Sequence, residues 1–249
     1  MCTTIGYLDP ASEWPVLIMS TRDEVDNRPT TQPGFHWQSS GLFGCKDELA
    51  GGSWLLLNTS KSRISIILNR QEIASTQHSF RSRGQYLLDR ASLNTVNATH
   101  LVKYQPFNML ALDLSNQSWT KWDGSKESTT CVGEGLFMIN SKDLNQGDSN
   151  PRIQRWFPIF EKNNFPSGSV TQHAEGFWEP WTEMLDAKYS TYNHIDSLNV
   201  LGFNHLPNYR TVNCTFVAIR SSGQIRYDYL DIKKGGSPNK WHSHLFGKT

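Results

Sequence analysis

The chain of 249 residues is 37% hydrophobic, enough for a folded core, and its 24 basic and 23 acidic side chains leave a net charge of +1. A chain so close to neutral has no overall field to draw it to nucleic acid or an anionic membrane, so recognition of any anion must be local. The first twenty residues hold Asp9 and Glu13 and no basic segment before an apolar run, and no apolar run approaches the roughly eighteen residues of a membrane helix; the sequence predicts an intracellular, cytoplasmic protein without a membrane span.

The N-terminal third alternates short β-rich runs with turn residues, which predicts strands over 3–7, 16–20, 53–57 and 64–68. Between them, 27–40 and 41–52 are rich in proline, glycine and polar residues and predict a long surface excursion. Leu87 and Leu88 stand among good helix formers, so a helix opens at Gln85, after Gly84, and runs through Ala91 toward Val102. Strands over 107–114 and 135–140 flank 115–130, whose Asp123-Gly124 pair fits a hairpin turn.

Further along, Ile153, Trp156, Phe157 and Phe160 recur at helical spacing in 152–162, as do Phe177, Trp181, Met184 and Leu185 in 176–189. Alternation returns in 212–219 and 225–230, joined by Ser221-Ser222-Gly223, and the tail after Lys233 is polar and glycine-rich. Strands at both ends with helices between them fit one α+β domain over 1–249, with a large mixed or antiparallel sheet system, better than a βαβ repeat.

Most of the remaining features read as structure. The four cysteines, Cys2, Cys45, Cys131 and Cys214, include no Cys-x-x-Cys pair for zinc or dithiol chemistry. Four Asn-x-Ser/Thr sequons begin at Asn58, Asn97, Asn116 and Asn213, and without a secretory signal they read as chance. Gly51-Gly52 marks a tight strand entry rather than a phosphate cradle, and the nine tryptophans are expected in core and helix packing. His242 and His244 flank Ser243 on one strand face without a third ligand, so no metal is assigned to them. Arg81 and Arg83, before Gly84 and the expected helix, are either a solvated helix start or a receptor for a phosphate, carboxylate or propionate group.

Cys2 is the residue best equipped for chemistry. Its side chain is small enough for removal of Met1 by a methionine aminopeptidase, which would make it N-terminal. A terminal cysteine carries a thiol and an α-amine of unperturbed pKa near about 8 on one residue, so nucleophile and general base need no partner from elsewhere. A retained Met1 would block that base.

Met1-Cys2 opens a strand, Leu8-Asp9-Pro10 follows, and a second strand runs into Thr21-Arg22-Asp23-Glu24, with Asn27-Arg28-Pro29 shortly after. Gly51-Gly52-Ser53-Trp54-Leu55, Leu68-Asn69, Arg81-Ser82-Arg83-Gly84, Phe107-Asn108 and Tyr209-Arg210-Thr211 come later in the chain. In order and approximate spacing these blocks resemble the Asn-Arg-Asp-Glu (NRDE) family that includes transport and Golgi organisation protein 2. Thr21 stands where the family has asparagine, and Ile139-Asn140 where a Ser-Asn pair is expected.

That family is itself similar to the cysteine N-terminal-nucleophile hydrolases, such as penicillin V acylase and bile salt hydrolase, which implies a four-layer αββα sandwich. The resemblance implies that Cys2 is the nucleophile, Asp23 holds the α-amine and Arg22 favours thiolate. It implies further that Asn69 helps form the oxyanion hole, Asn140 lies near the amine or the oxyanion, and Arg210 closes the site. Two functions follow from it. One is amide or thioester hydrolysis through an acyl-enzyme, which requires no cofactor. The other is a non-catalytic carrier whose cleft holds an acyl-CoA, a lipid or haem; haem would be held reversibly, because there is no Cys-x-x-Cys-His attachment sequence.

Overall fold

Short runs of alternating apolar and polar residues separated by turns pair in antiparallel fashion in both sheets of the described residues. The computed structural model describes residues 2–38, 40–71, 80–92, 98–148, 150–183, 208–232 and 238–247. Among them are strands β1 (Thr3–Leu8), β2 (Val16–Val25), β3 (Leu42–Phe43), β4 (Leu55–Asn58), β5 (Arg63–Asn69), β6 (Phe107–Leu112), β7 (Gln117–Trp122), β8 (Glu127–Cys131), β9 (Gly135–Ile139), β10 (Tyr209–Ile219), β11 (Ile225–Ile232) and β12 (Pro238–Phe246). The α-helices are α1 (Arg83–Ser92), α2 (Pro151–Lys162) and α3 (Ala174–Thr182), and a 3-10 helix covers Ala98–Lys103. The fold is α+β, with two six-stranded antiparallel sheets. No helix among the described residues is long and apolar enough to cross a membrane.

The chain divides into two compact units. The first comprises Met1–Asn27, Glu134–Ile139 and Leu144–Thr249. Its sheet has the order β12-β11-β10-β2-β1-β9. Alternate side chains of a strand face opposite ways, and on one face Ile5, Leu17, Met19, Cys214, Phe216 and Leu230 join Ile153, Trp156 and Phe160 of α2 and Phe177, Trp178 and Trp181 of α3 in one core. Burial of each large apolar side chain there contributes roughly 1.5–3 kcal/mol. The apolar spacing read in 152–162 and 176–189 is the stripe that packs here, although 184–189 lie outside the described residues. Helix α2 starts where it does because Asn150 caps it, its side chain accepting from Ile153 N, and Pro151 follows as first residue.

A buried polar cluster lies within this core. Trp178 Nε1 donates to Asp228 Oδ2 at 2.7 Å, Arg226 Nε bonds the same oxygen, and the Arg226 guanidinium lies 4.7 Å from the centre of the Phe177 ring. On the sheet's other face Thr4 and Ser20 share a 2.9 Å hydrogen bond. A Cβ at Gly6 would stand 2.3 Å from the Phe137 ring, so this strand position requires glycine.

The second unit comprises Arg28–Gly133 and Asn140–Asp143, and its sheet has the order β3-β4-β5-β6-β7-β8. Helix α1 buries Tyr86, Leu87, Leu88 and Ala91, and with Leu56, Ile67, Phe107, Met109 and Trp122 these residues form the unit's core. The Gly51-Gly52 and Arg81-Ser82-Arg83-Gly84 blocks meet here: a Cβ at Gly52 would lie 2.4 Å from the Gly84 carbonyl carbon, and one at Gly84 would lie 2.8 Å from Ser53 O. The paired glycines allow backbone to touch backbone at the start of α1.

Several expectations change in detail. The second strand extends to Val25, placing Arg22 and Asp23 within it rather than after it. The segment 115–130 is a hairpin of two further strands, β7 and β8, with Asp123-Gly124 in its turn; its Ser, Thr and Lys residues mask an alternation whose buried members are Thr120 and Trp122. The polar tail contains β12, which pairs with β11. Two sequons serve structural ends: Asn58 and Asn213 are 3% and 2% exposed, and Asn58 Nδ2 donates to Ala91 O at 3.1 Å. Asn97 lies outside the described residues.

Candidate functional site

Strand β1 begins at the residue after Cys2, and its register with β2 pairs Thr3 with Thr21 and Thr4 with Ser20. Thr3 N donates to Thr21 Oγ1 at 3.1 Å, which fixes the start of the strand. Alternation then sends Thr3 toward the helix-covered face and Cys2 with Thr4 toward the other. Cys2 is partly buried. Its Sγ accepts the backbone N–H of Asp23 at 3.4 Å, and its thiol faces the Asp23 carbonyl oxygen at 3.7 Å.

Three residues remote in sequence secure Asp23. Arg152, at the start of α2, donates to Oδ2 at 3.0 Å, and Thr211, on β10, donates to Oδ1 at 2.7 Å. Tyr209, also on β10, donates its hydroxyl to the Asp23 carbonyl oxygen at 2.8 Å. A register shift between Thr211 and Asn213 keeps Thr211 opposite Asp23 while Asn213 falls opposite Arg22, the re-aiming expected of a β-bulge. Arg152 also donates to Thr3 Oγ1 at 2.8 Å, tying the segment beside Cys2 to α2. The side chains of Arg152 and Asp23 are 1% and 0% exposed, so this ion pair is fully withdrawn from water.

The electrostatics follow from that packing. Burial works against ionisation of Asp23, but the amino-terminal charge first, then the Arg152 guanidinium and the Thr211 hydroxyl, outweigh it and hold the carboxyl below its usual range. Burial pushes the Cys2 thiol up, and the Asp23 charge adds to that; the amino-terminal charge, the Asp23 N–H and the Arg22 charge act the other way without reversing it. Cys214, buried on the helix-covered face, is also pushed up by burial and then by Asp23.

The first unit holds Cys2 beside the start of β1, Arg22 and Asp23 on β2, and Arg210 on β10. Arg22 is 4% exposed, and its guanidinium reaches Glu24 at 3.8 Å. Arg210 pairs across the ladder with Glu24, and its guanidinium is engaged by Asp26, by Thr211 O at 2.7 Å and by Ile232 O at 2.6 Å. The other candidates belong to the second unit. Asn69 is exposed at the end of β5. Asn140 is fully buried: its carbonyl accepts from Asn108 Nδ2 at 2.8 Å, and its Oδ1 accepts from Lys142 N at 3.2 Å. Asn108 also donates to Lys142 O at 2.7 Å, so one buried side chain holds the short segment that carries Asn140. Arg83 donates to Pro106 O at 3.1 Å, and Arg81 lies over the Tyr104 ring, its backbone N–H donating to Lys103 O.

Sequence reasoning missed Arg152, Tyr209 and Thr211 as partners of Asp23. Two signals were available. Alternation in Tyr209-Arg210-Thr211 sets the first and third residues apart from Arg210, the one singled out. Arg152 places a positive charge in the first turn of a helix, where the backbone dipole disfavours it, and a local rule broken in this way marks a residue committed elsewhere.

No curated protein matches the chain. A family model described as transport and Golgi organisation 2 matches residues 1–229, all but the last twenty, and the chain belongs to that family.

Proposed function

We propose that the protein is an acyl-transfer hydrolase of the N-terminal-nucleophile type, built as a four-layer αββα sandwich, in which Cys2 opens an amide or thioester. Removal of Met1 frees the Cys2 α-amine. That amine takes the thiol proton as Sγ bonds to the acyl carbon, and the carbonyl electrons move onto oxygen. Collapse of the tetrahedral species expels the amine or thiol leaving group, which takes the proton from the ammonium. Water, activated by the same amine, then releases the carboxylic acid and restores the thiol.

In this reading Asp23 holds the α-amine, Arg22 supplies a charge that favours thiolate, and Arg210 closes the site. The observation that carries the reading is the seating of the Cys2 sulfur on the Asp23 peptide, beside a buried carboxylate held ionised by Arg152 and Thr211. An acyl-transfer centre needs a nucleophile and an orienting anion held in fixed relation, and this pair supplies both.

A carrier for acyl-CoA, lipid or reversibly bound haem, using the same fold, is the second reading. It is favoured by the upward displacement of the Cys2 thiol, since a carrier needs no thiolate. Intact-protein mass spectrometry combined with an acyl-amide and an acyl-thioester release assay separates the two. The hydrolase reading predicts a chain lacking Met1 and product formation lost in Cys2→Ser and Cys2→Ala. A retained Met1, or release that persists in both variants, overturns it. Saturable binding of acyl-CoA or haem without release supports the carrier.

A further inference from the structure

Among the described residues, the Tyr209 hydroxyl donates to the Asp23 carbonyl oxygen at 2.8 Å and the Cys2 thiol faces it at 3.7 Å. The first is a short, well-formed bond and the second a long one. The same peptide segment offers its N–H to the Cys2 sulfur at 3.4 Å. Sulfur is thus placed between an acceptor that retains the thiol proton and a donor that stabilises the charge left when the proton departs. Which of the two prevails depends on how fully the carbonyl is already occupied.

We propose that Tyr209 is a positioning residue for the Cys2 sulfur: by occupying the Asp23 carbonyl it weakens the hold of that oxygen on the thiol proton, so that the sulfur is directed to the Asp23 N–H. The phenol suits this task. It is partly buried, and burial, followed by the charge of Cys2 itself, raises it above its ordinary value, so it stays a neutral donor across the working pH range. A phenylalanine would keep the ring and its packing but leave the carbonyl to the thiol.

The charged and titratable groups around the sulfur come from several elements. Arg22, Asp23 and Glu24 lie on β2, Tyr209 on β10 and Arg152 on α2, and the charge of the chain's amino terminus is also felt. Arg152 is committed to Asp23 and Thr3, and Arg22 reaches toward Glu24. Tyr209 is bonded to the main-chain oxygen that the thiol faces.

The inference deepens the hydrolase reading, since it concerns the thiol on which that reading depends, but its test measures ionisation rather than turnover. Alkylation of Cys2 by iodoacetamide, followed across pH by peptide mass spectrometry on the full chain, reports the thiolate fraction. Loss of one hydrogen bond of ordinary strength predicts that Tyr209→Phe shifts the profile upward by roughly half to one pH unit, with alkylation at pH 7 slowed about three- to tenfold. Replacing Tyr209 by 3-fluorotyrosine, a stronger donor of nearly the same size, is expected to shift the profile downward and serves as the test if the phenylalanine variant fails to fold. An unchanged profile in the variants, or a downward shift in Tyr209→Phe, overturns the proposal. If the shifts occur but no acyl substrate is turned over, the role of Tyr209 stands and the hydrolase reading falls.

Discussion

Arg152→Met tests the electrostatic arrangement at the site most severely. The substitution keeps much of the aliphatic volume, removes the guanidinium from Asp23 and Thr3, and leaves a fully buried carboxylate that still accepts from Thr211. Breaking a buried ion pair by deleting one partner costs about 3–5 kcal/mol, a large share of the roughly 5–15 kcal/mol that holds a domain together. The pH dependence carries the diagnostic sign. With Arg152 present, the folded-state pKa of Asp23 lies below its unfolded value, so its contribution is fully present above the unfolded pKa and is lost as pH falls through the folded one. Without Arg152 that lowering is reduced, while the amino-terminal charge and Thr211 still act on the carboxyl, and the folded pKa moves up toward the unfolded value. The variant then loses less stability than the unaltered chain as pH falls below the ordinary carboxylate range, so the difference between the two narrows there. Hydrogen-exchange mass spectrometry of β1 and β2 peptides at pH 7 and at about pH 3.5, below the ordinary Asp value, corrected for the intrinsic exchange rate, reads this locally. A loss under about 1 kcal/mol at pH 7, or one that does not shrink at the lower pH, would refute this assignment.

Asp23→Asn removes a charge that raises the Cys2 thiol, and Cys2 alkylation at pH 7 is expected to accelerate; a slower rate would show that the amide contact, not the charge, governs the sulfur. In the unaltered chain alkylation should remain slow at pH 7 and rise only as pH passes the ordinary thiol range, because burial holds the thiol up. Gly52→Ala forces a methyl against the Gly84 carbonyl carbon, and the second unit is expected to lose about 1–3 kcal/mol in chemical denaturation, with the exchange protection of β10 and β11 unchanged. Asp228→Ala leaves Arg226 charged and buried without its carboxylate; a loss of several kcal/mol localised to α3 and β11 is expected, and Trp178→Phe should lose less, since it removes one hydrogen bond.

Strands whose apolar residues alternate were legible from composition alone, and so were the two helices with a tryptophan-rich stripe, because one side chain in two or in three to four must enter a core. Strands β7, β8 and β12 were less visible for the same reason. Their outward residues are Ser, Thr, Lys and His, and too few apolar positions remain to set a period. At the site, Cys2, Arg22 and Asp23 were found through the order of short blocks along the chain. Arg152 could not be found that way: its contact with Asp23 spans 129 positions and depends on α2 packing against a strand that begins near the N-terminus. Thr211 required the bulge after it, a register shift that pairing patterns do not announce. The Tyr209 contact is to a main-chain oxygen, which carries no side-chain signal in its partner.

Acylation of the Cys2 sulfur is tested most directly by incubating the full chain with an acyl-thioester and an acyl-amide, quenching in acid, and mapping the modified peptide by mass spectrometry. The expected peptide begins at Cys2, carries one acyl group on sulfur, disappears with hydroxylamine, and is absent from Cys2→Ala. A chain that retains Met1 and shows no acyl adduct, or an adduct that survives in Cys2→Ala, would contradict it.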